Sequence, residues 1–143
     1  MTVTVHDVAA YILQQYGGAM TSMKLEKLVY YSQAWSLVWD EEPLFEEAIE
    51  AWVNGPVVPE LYARHRGMFK VSHWAGNPEK LTADQKETID AVLKFYGKRS
   101  SMELSQMTHR EEPWIIARRG LSSSERGSRE ISLASMAEYY GSL

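Results

Sequence analysis

The sequence predicts a mainly α protein, a compact bundle of about six helices around a buried central helix with at most a small β element. Three observations predict it. Apolar residues recur at helical spacing in a series of segments. Most of those segments open on a capping residue, and several stop at glycine. One segment, about Met23 to Trp39, is apolar on nearly every side and so reads as a helix surrounded by others.

Asp7 is the expected N-cap of the first helix, and Val8, Ala9, Ile12, Leu13 and Tyr16 follow on one face. Gly17-Gly18 ends it, because glycine accepts the left-handed cap conformation. Thr21 and Ser22 are the caps of the second helix. There, Leu25, Leu28, Val29, Ser32, Trp35 and Trp39 form a stripe that Tyr31, Ala34, Leu37 and Val38 widen. Lys24, Glu26 and Lys27 are expected to keep its first turn solvated. Pro43 enforces the break after Asp40-Glu41-Glu42.

Phe45 to Val53 fits either a short strand, with Ile49, Ala51 and Val53 on one side, or a helical turn. Gly55-Pro56 marks a turn. Pro59 suits the first position of a helix, where its missing N–H costs nothing, and Glu60 suits the positive end of the dipole. That helix carries Leu61, Tyr62 and His65 and stops at Gly67. Met68 to Lys80 reads as a loop with a turn at Gly76-Asn77-Pro78.

Thr82 to Gln85 is a capping box before Ile89, Val92, Leu93 and Tyr96, with a stop at Gly97. Ser100 to Glu103 is a second box, leading into Leu104 and Met107. Pro113 begins a short helix, Trp114 to Arg119, stopped by Gly120. Leu121 to Glu130 is Ser-rich and charged and reads as a loop. Ser132 caps a last helix, Leu133 to Tyr140. Without a repeat or a long linker, residues 1–143 are expected to form one domain.

Composition narrows the function. The chain is 45% hydrophobic and 24% charged, which suits a globular protein and argues against disorder. Five Trp and eight Tyr stand against three Phe, a bias toward aromatics that suit half-buried positions and interfaces. The net charge of −4 does not suit a protein built around a polyanion. The absence of Cys removes thiolate zinc sites, thiol nucleophiles and disulfides. No positive start with a long apolar stretch opens the chain, and no run nears the ~18 apolar residues of a membrane span. A cytoplasmic protein without a membrane partner is expected.

Reactive constellations are sparse. The four histidines, His6, His65, His73 and His109, include no i, i+4 pair and no HExxH motif. His109-Arg110-Glu111-Glu112 is the one place where carboxylates crowd a histidine, and its plainer reading is a charged helix entry. There is no GxSxG elbow, Walker loop or GxGxxG turn. No catalytic residue, metal ligand or cofactor is therefore assigned. Arg64, His65, Arg66 and Lys70 form one basic cluster, and Arg118, Arg119, Arg126 and Arg129 another. Both read better as solvated faces than as phosphate contacts. Trp52, Val53, Val57, Val58 and Tyr62 bracket the Gly-Pro turn and fit either the core or the rim of a partner groove. The face of the last helix, Leu133, Met136, Tyr139 and Tyr140, reads as core with tyrosine hydroxyls reaching solvent, and a partner role stays open.

Three blocks carry a resemblance. They are Lys24–Trp35 (KLEKLVYYSQAW), Ile49–Tyr62 (IEAWVNGPVVPELY) and Leu104–Trp114 (LSQMTHREEPW). In order and spacing they resemble the Panacea antitoxin domain, also called SocA-like, from about Asp7 to Tyr140. The resemblance implies an antitoxin of a type II toxin–antitoxin system that binds and neutralises a protein toxin encoded next door. One branch of that family implies an alternative, an adaptor that delivers the toxin to an ATP-dependent protease of the ClpXP type. The chain reads as nearly the bare domain, without an N-terminal DNA-binding extension. The candidate protein-binding residues are Trp52, Gly55, Pro56, Val57, Val58, Pro59, Tyr62, His109 and Trp114. Two further readings compete: a metal-dependent hydrolase using His109, Glu111 and Glu112, and a DNA-binding regulator using the arginine clusters. The oligomeric state is left open.

Overall fold

The computed structural model describes residues 2–143. Helix α1 (Val5–Tyr16) begins on Thr4, whose backbone N–H donates to the Asp7 carboxylate at 2.9 Å. Asp7 is thus the third residue of a capping box and not the cap itself. Gly17 closes the helix with φ 76°. Strand β1 (Met20–Thr21) leads directly into α2 (Ser22–Trp39), capped by the Thr21 hydroxyl accepting from Lys24 N at 3.1 Å.

α2 is the axis of the molecule, packed by α1 and by every later helix except the short α6. Leu25, Leu28, Val29, Tyr31 and Ala34 have no exposed surface. Burial extends further toward the N-terminus than the charge pattern suggests. Lys24, Glu26 and Lys27 are all inside, and Trp39 at the other end is 51% exposed. The first turn is covered by the β1 pairing and by the β-hairpin and helices that follow, so Lys24 and Glu26 meet internal partners while Lys27 Nζ is buried without a hydrogen bond. Lys24 Nζ, for one, donates to the carbonyl of Gly97 at 2.6 Å, at the negative end of α4.

Strands β2 (Glu50–Trp52) and β3 (Gly55–Val57) form an antiparallel hairpin, pairing Ala51 with Pro56 and Trp52 with Gly55. The strand reading of residues 45–53 therefore holds for Glu50–Trp52 alone, with Val53 already in the turn. The turn itself falls on Val53-Asn54, and Gly55-Pro56 stands in the strand, where Pro is tolerated because β3 is an edge strand. α3 (Pro59–His65) follows, with Pro59 at its first position. Strand β4 (Lys70–Val71) then returns to pair with β1, a short element inside the expected loop. α4 (Ala83–Tyr96) and α5 (Ser101–His109) begin on the capping boxes of Thr82 and Ser100. α6 (Glu112–Ala117) and α7 (Leu133–Gly141) complete the chain, α7 capped by Ser132. The count among described residues is seven α-helices and two small sheets, so the mainly α fold around a central helix is observed. No helix among the described residues is long and apolar enough to cross a membrane.

The segment between α6 and α7 is tied down from both sides. Arg118, 4% exposed, donates to the carbonyls of Ala51 (3.0 Å), Ser122 (3.1 Å) and Glu125. Ala51 N donates to Arg129 O and Ile131 N to Ile49 O, both at 2.8 Å, extending the hairpin edge. Arg118 is therefore an internal fastener and not part of a basic surface. α7 is held by the Tyr140 hydroxyl turned inward, contrary to the expectation that it reaches solvent, whereas Tyr139 is only half-buried. Tyr140 OH donates to Glu111 (2.8 Å) and meets Tyr30 OH (3.0 Å), while Tyr31 OH donates to the same carboxylate (2.7 Å).

Gln33 shows how α2 fastens its surroundings. Its amide accepts from Leu44 N (2.6 Å) and donates to Phe45 O (2.8 Å), all buried. Gln33→Leu leaves both backbone groups without partners in an apolar setting. It is expected to lower unfolding stability by about 2–4 kcal/mol in urea denaturation, with near-native secondary structure at low denaturant.

Candidate functional site

The three sequence blocks converge on one side of α2. Glu26 Oε1 accepts from Val58 N (2.9 Å), and its Oε2 lies 2.6 Å from His65 Nε2. Val58 is the N-cap of α3 and His65 its last residue, so one carboxylate spans that helix. Lys27 passes under the hairpin against Gly55, where a Cβ would stand 2.6 Å from its Cε and 2.9 Å from Thr108 Oγ1. Gly55 also has φ 120°, which L side chains rarely adopt. On the far side, His109 stacks on Trp114 (4.1 Å, 23°), whose indole N–H donates to Trp52 O at 2.8 Å.

The electrostatics of this junction are unusual. Lys27 Nζ has no exposed surface and no hydrogen-bond partner, and the same is true of His109 Nε2 as an atom. Burial pushes the Lys27 ammonium down to about 8, against a weaker upward pull from Glu26. His109 is lowered by burial first and by the Lys27 charge next. Glu111 is raised by burial, opposed by the hydroxyls of Tyr31 and Tyr140.

Outside the junction lies a groove of about 670 Å³. Trp52 and Tyr62 meet there edge to face at 4.9 Å, and Met23, Arg66, Arg126 and Ser128 also line it. A second recess of about 370 Å³ shares Met23 and Tyr62 and runs on to Met68 and Phe69, which are 50% and 75% exposed.

Of the candidate protein-binding residues, Trp52 and Tyr62 stand half-buried in this groove. Gly55, Pro56, Val57 and Val58 are buried beneath it, Pro59 starts α3, and the His109–Trp114 stack backs the hairpin turn. Sequence reasoning assigned Met23 no role here. It placed Arg66 and Arg126 in separate basic clusters, with nothing local to join them. The first cluster loses His65, which is 2% exposed and bonded to Glu26. His109, Glu111 and Glu112 do not converge, since the first is stacked, the second faces two tyrosines and the third is exposed. Among the described residues no three His, Cys, Asp or Glu side chains form a metal-sized group.

The buried polar groups are largely spent on internal fastening, and Trp52 and Tyr62 stand half-buried in an open groove. Residues 25–115, from the first turn of α2 into α6, match the family model described as antitoxin SocA-like, Panacea domain. The chain belongs to that family of antitoxins. No curated protein and no solved structure gives a match.

The Lys27 burial has a pH signature. The folded state releases this proton near pH 8 and the unfolded chain near 10.5, so between these values the unfolded state holds more protons and stability rises with pH. Below pH 8 the cost is present in full, about 3 kcal/mol for that separation of pKa values. Lys27→Met is expected to be more stable than the parent by about 1–3 kcal/mol at pH 7. The gap should shrink toward zero as pH approaches 10. A gap independent of pH in paired urea titrations would remove the buried ammonium from the account.

Proposed function

We propose that this chain is a single-domain antitoxin that neutralises a protein toxin by direct binding in the cytoplasm, without catalysis or a cofactor. The observation that carries the reading is the family membership over residues 25–115. The open groove with Trp52 and Tyr62 supports it, because half-buried aromatics in a recess are the groups that anchor protein interfaces. The candidate contact residues divide by burial. Trp52 and Tyr62 touch the partner, and Gly55 to Val58 with His109 and Trp114 hold the groove in shape.

Co-expression with the product of the adjacent gene tests this. The neighbour alone should stop growth, the pair should grow, and the two proteins should co-purify. Rescue accompanied by disappearance of the toxin and no stable complex would instead indicate delivery to an ATP-dependent protease. A harmless neighbour that never co-purifies counts against the antitoxin reading. Trp52→Ala is expected to weaken the complex about tenfold or more with the thermal melt little changed. If it unfolds the chain, Trp52 belongs to the core.

A further inference from the structure

The groove and the recess beside it share Met23 and Tyr62, and Trp52 stands against Tyr62 on the groove side. Their charge runs against that of the molecule. The chain carries −4 overall, yet among the described residues lining the two spaces there are two arginines, Arg66 and Arg126, and no carboxylate. Of the carboxylates near them in sequence, Glu50 accepts from the Trp52 indole N–H at 2.9 Å, and Glu125, beside Arg126, accepts from Ser122 N at 3.4 Å. Among the described residues neither guanidinium makes an ion pair, whereas Arg118 and Arg129 are spent on backbone carbonyls.

We infer that this groove receives an acidic segment of the partner protein, in which one bulky apolar side chain seats against Trp52 and Tyr62 and flanking carboxylates face Arg66 and Arg126. The inference rests on the antitoxin reading for the identity of the partner and on the groove for its chemistry. A planar guanidinium pairs with a carboxylate through parallel N–H donors, giving register to an otherwise adaptable apolar contact. A nucleic-acid strand is the poorer occupant. It needs a continuous basic track along its phosphates, and two cations on a net-negative protein do not make one.

The test is an NMR titration of the 15N-labelled full chain with a capped peptide, Glu-Asp-Trp-Leu-Asp-Glu. The comparison probes are the same peptide with Lys at its acidic positions and a short oligothymidylate. The acidic peptide should shift the Trp52 indole and the amides of Met23, Tyr62, Arg66 and Arg126, and added salt should weaken it. The double variant Arg66→Glu with Arg126→Glu, both exposed side chains, should melt like the parent and raise the Kd at least about tenfold. Shifts from the basic peptide or the oligonucleotide in this groove, or none there from the acidic peptide, overturn the inference.

The same double variant then enters the growth assay with the adjacent gene product. Loss of rescue with the fold intact supports the groove as the toxin-binding surface. Rescue and complex unchanged by the double variant overturn the groove and leave the antitoxin reading standing. If the neighbour proves harmless, the antitoxin reading fails and the peptide titration still decides the groove.

Discussion

A carboxylate with no exposed surface has to find donors inside the protein, and Glu26 finds two, one at each end of α3. The placement of α3 on α2 follows from that pair of bonds, and with it the position of Tyr62 over the groove. Gln33 repeats the device two turns further on, where it fixes the chain at Leu44 and Phe45. α2 is therefore more than an apolar rod. Its apolar positions supply the drive to bury it, and its internal polar positions determine which segment lies where, since a misplaced neighbour would leave a buried polar group unpaired.

The local grammar of the chain was legible. Thr21, Thr82, Ser100 and Ser132 act as caps, Pro59 opens its helix and Gly17 closes one, each through contacts within a few residues. Long-range pairings were not. Lys24-Leu25-Glu26-Lys27 has the charge pattern of a solvated first turn, and its burial depends on Val58, His65 and Gly97, which are distant in sequence. The Asp7 cap was displaced because Thr4 and Asp7 are both capping residues, and only their mutual bonding tells which stands at the boundary. For the site, the aromatic pair Trp52 and Tyr62 was visible as a motif. Its arginines were not, because they come from opposite halves of the chain.

The three sequence blocks meet for reasons of packing. Gly55 lets the hairpin lie on the Lys27 stem, and Thr108 and His109 close the same space from α5. Glu111 is held by tyrosines from α2 and α7. The family match ends inside α6, so the hairpin, α3 and α5 fall within it and the wall bearing Arg126 and Ser128 falls outside. One side of the groove is thus built from matched residues and the other from residues beyond the match.

That outer wall is anchored in a way that leaves its own sequence free. Arg118 grips carbonyl oxygens at Ala51, Ser122 and Glu125, and the far end is held by main-chain bonds at Arg129 and Ile131. Carbonyls and amides of this kind belong to every residue type except for the missing amide of Pro. Apart from Gly127, where a Cβ would stand 2.6 Å from Leu121 Cδ1 and 3.3 Å from Arg118 Nη1, the stretch from 122 to 128 can accordingly change its side chains, and to some degree its length, at little entropic cost and without a new set of anchors. It has the physical character of an exchangeable cassette, which recombination or directed evolution can rewrite while the helical body stays as it is.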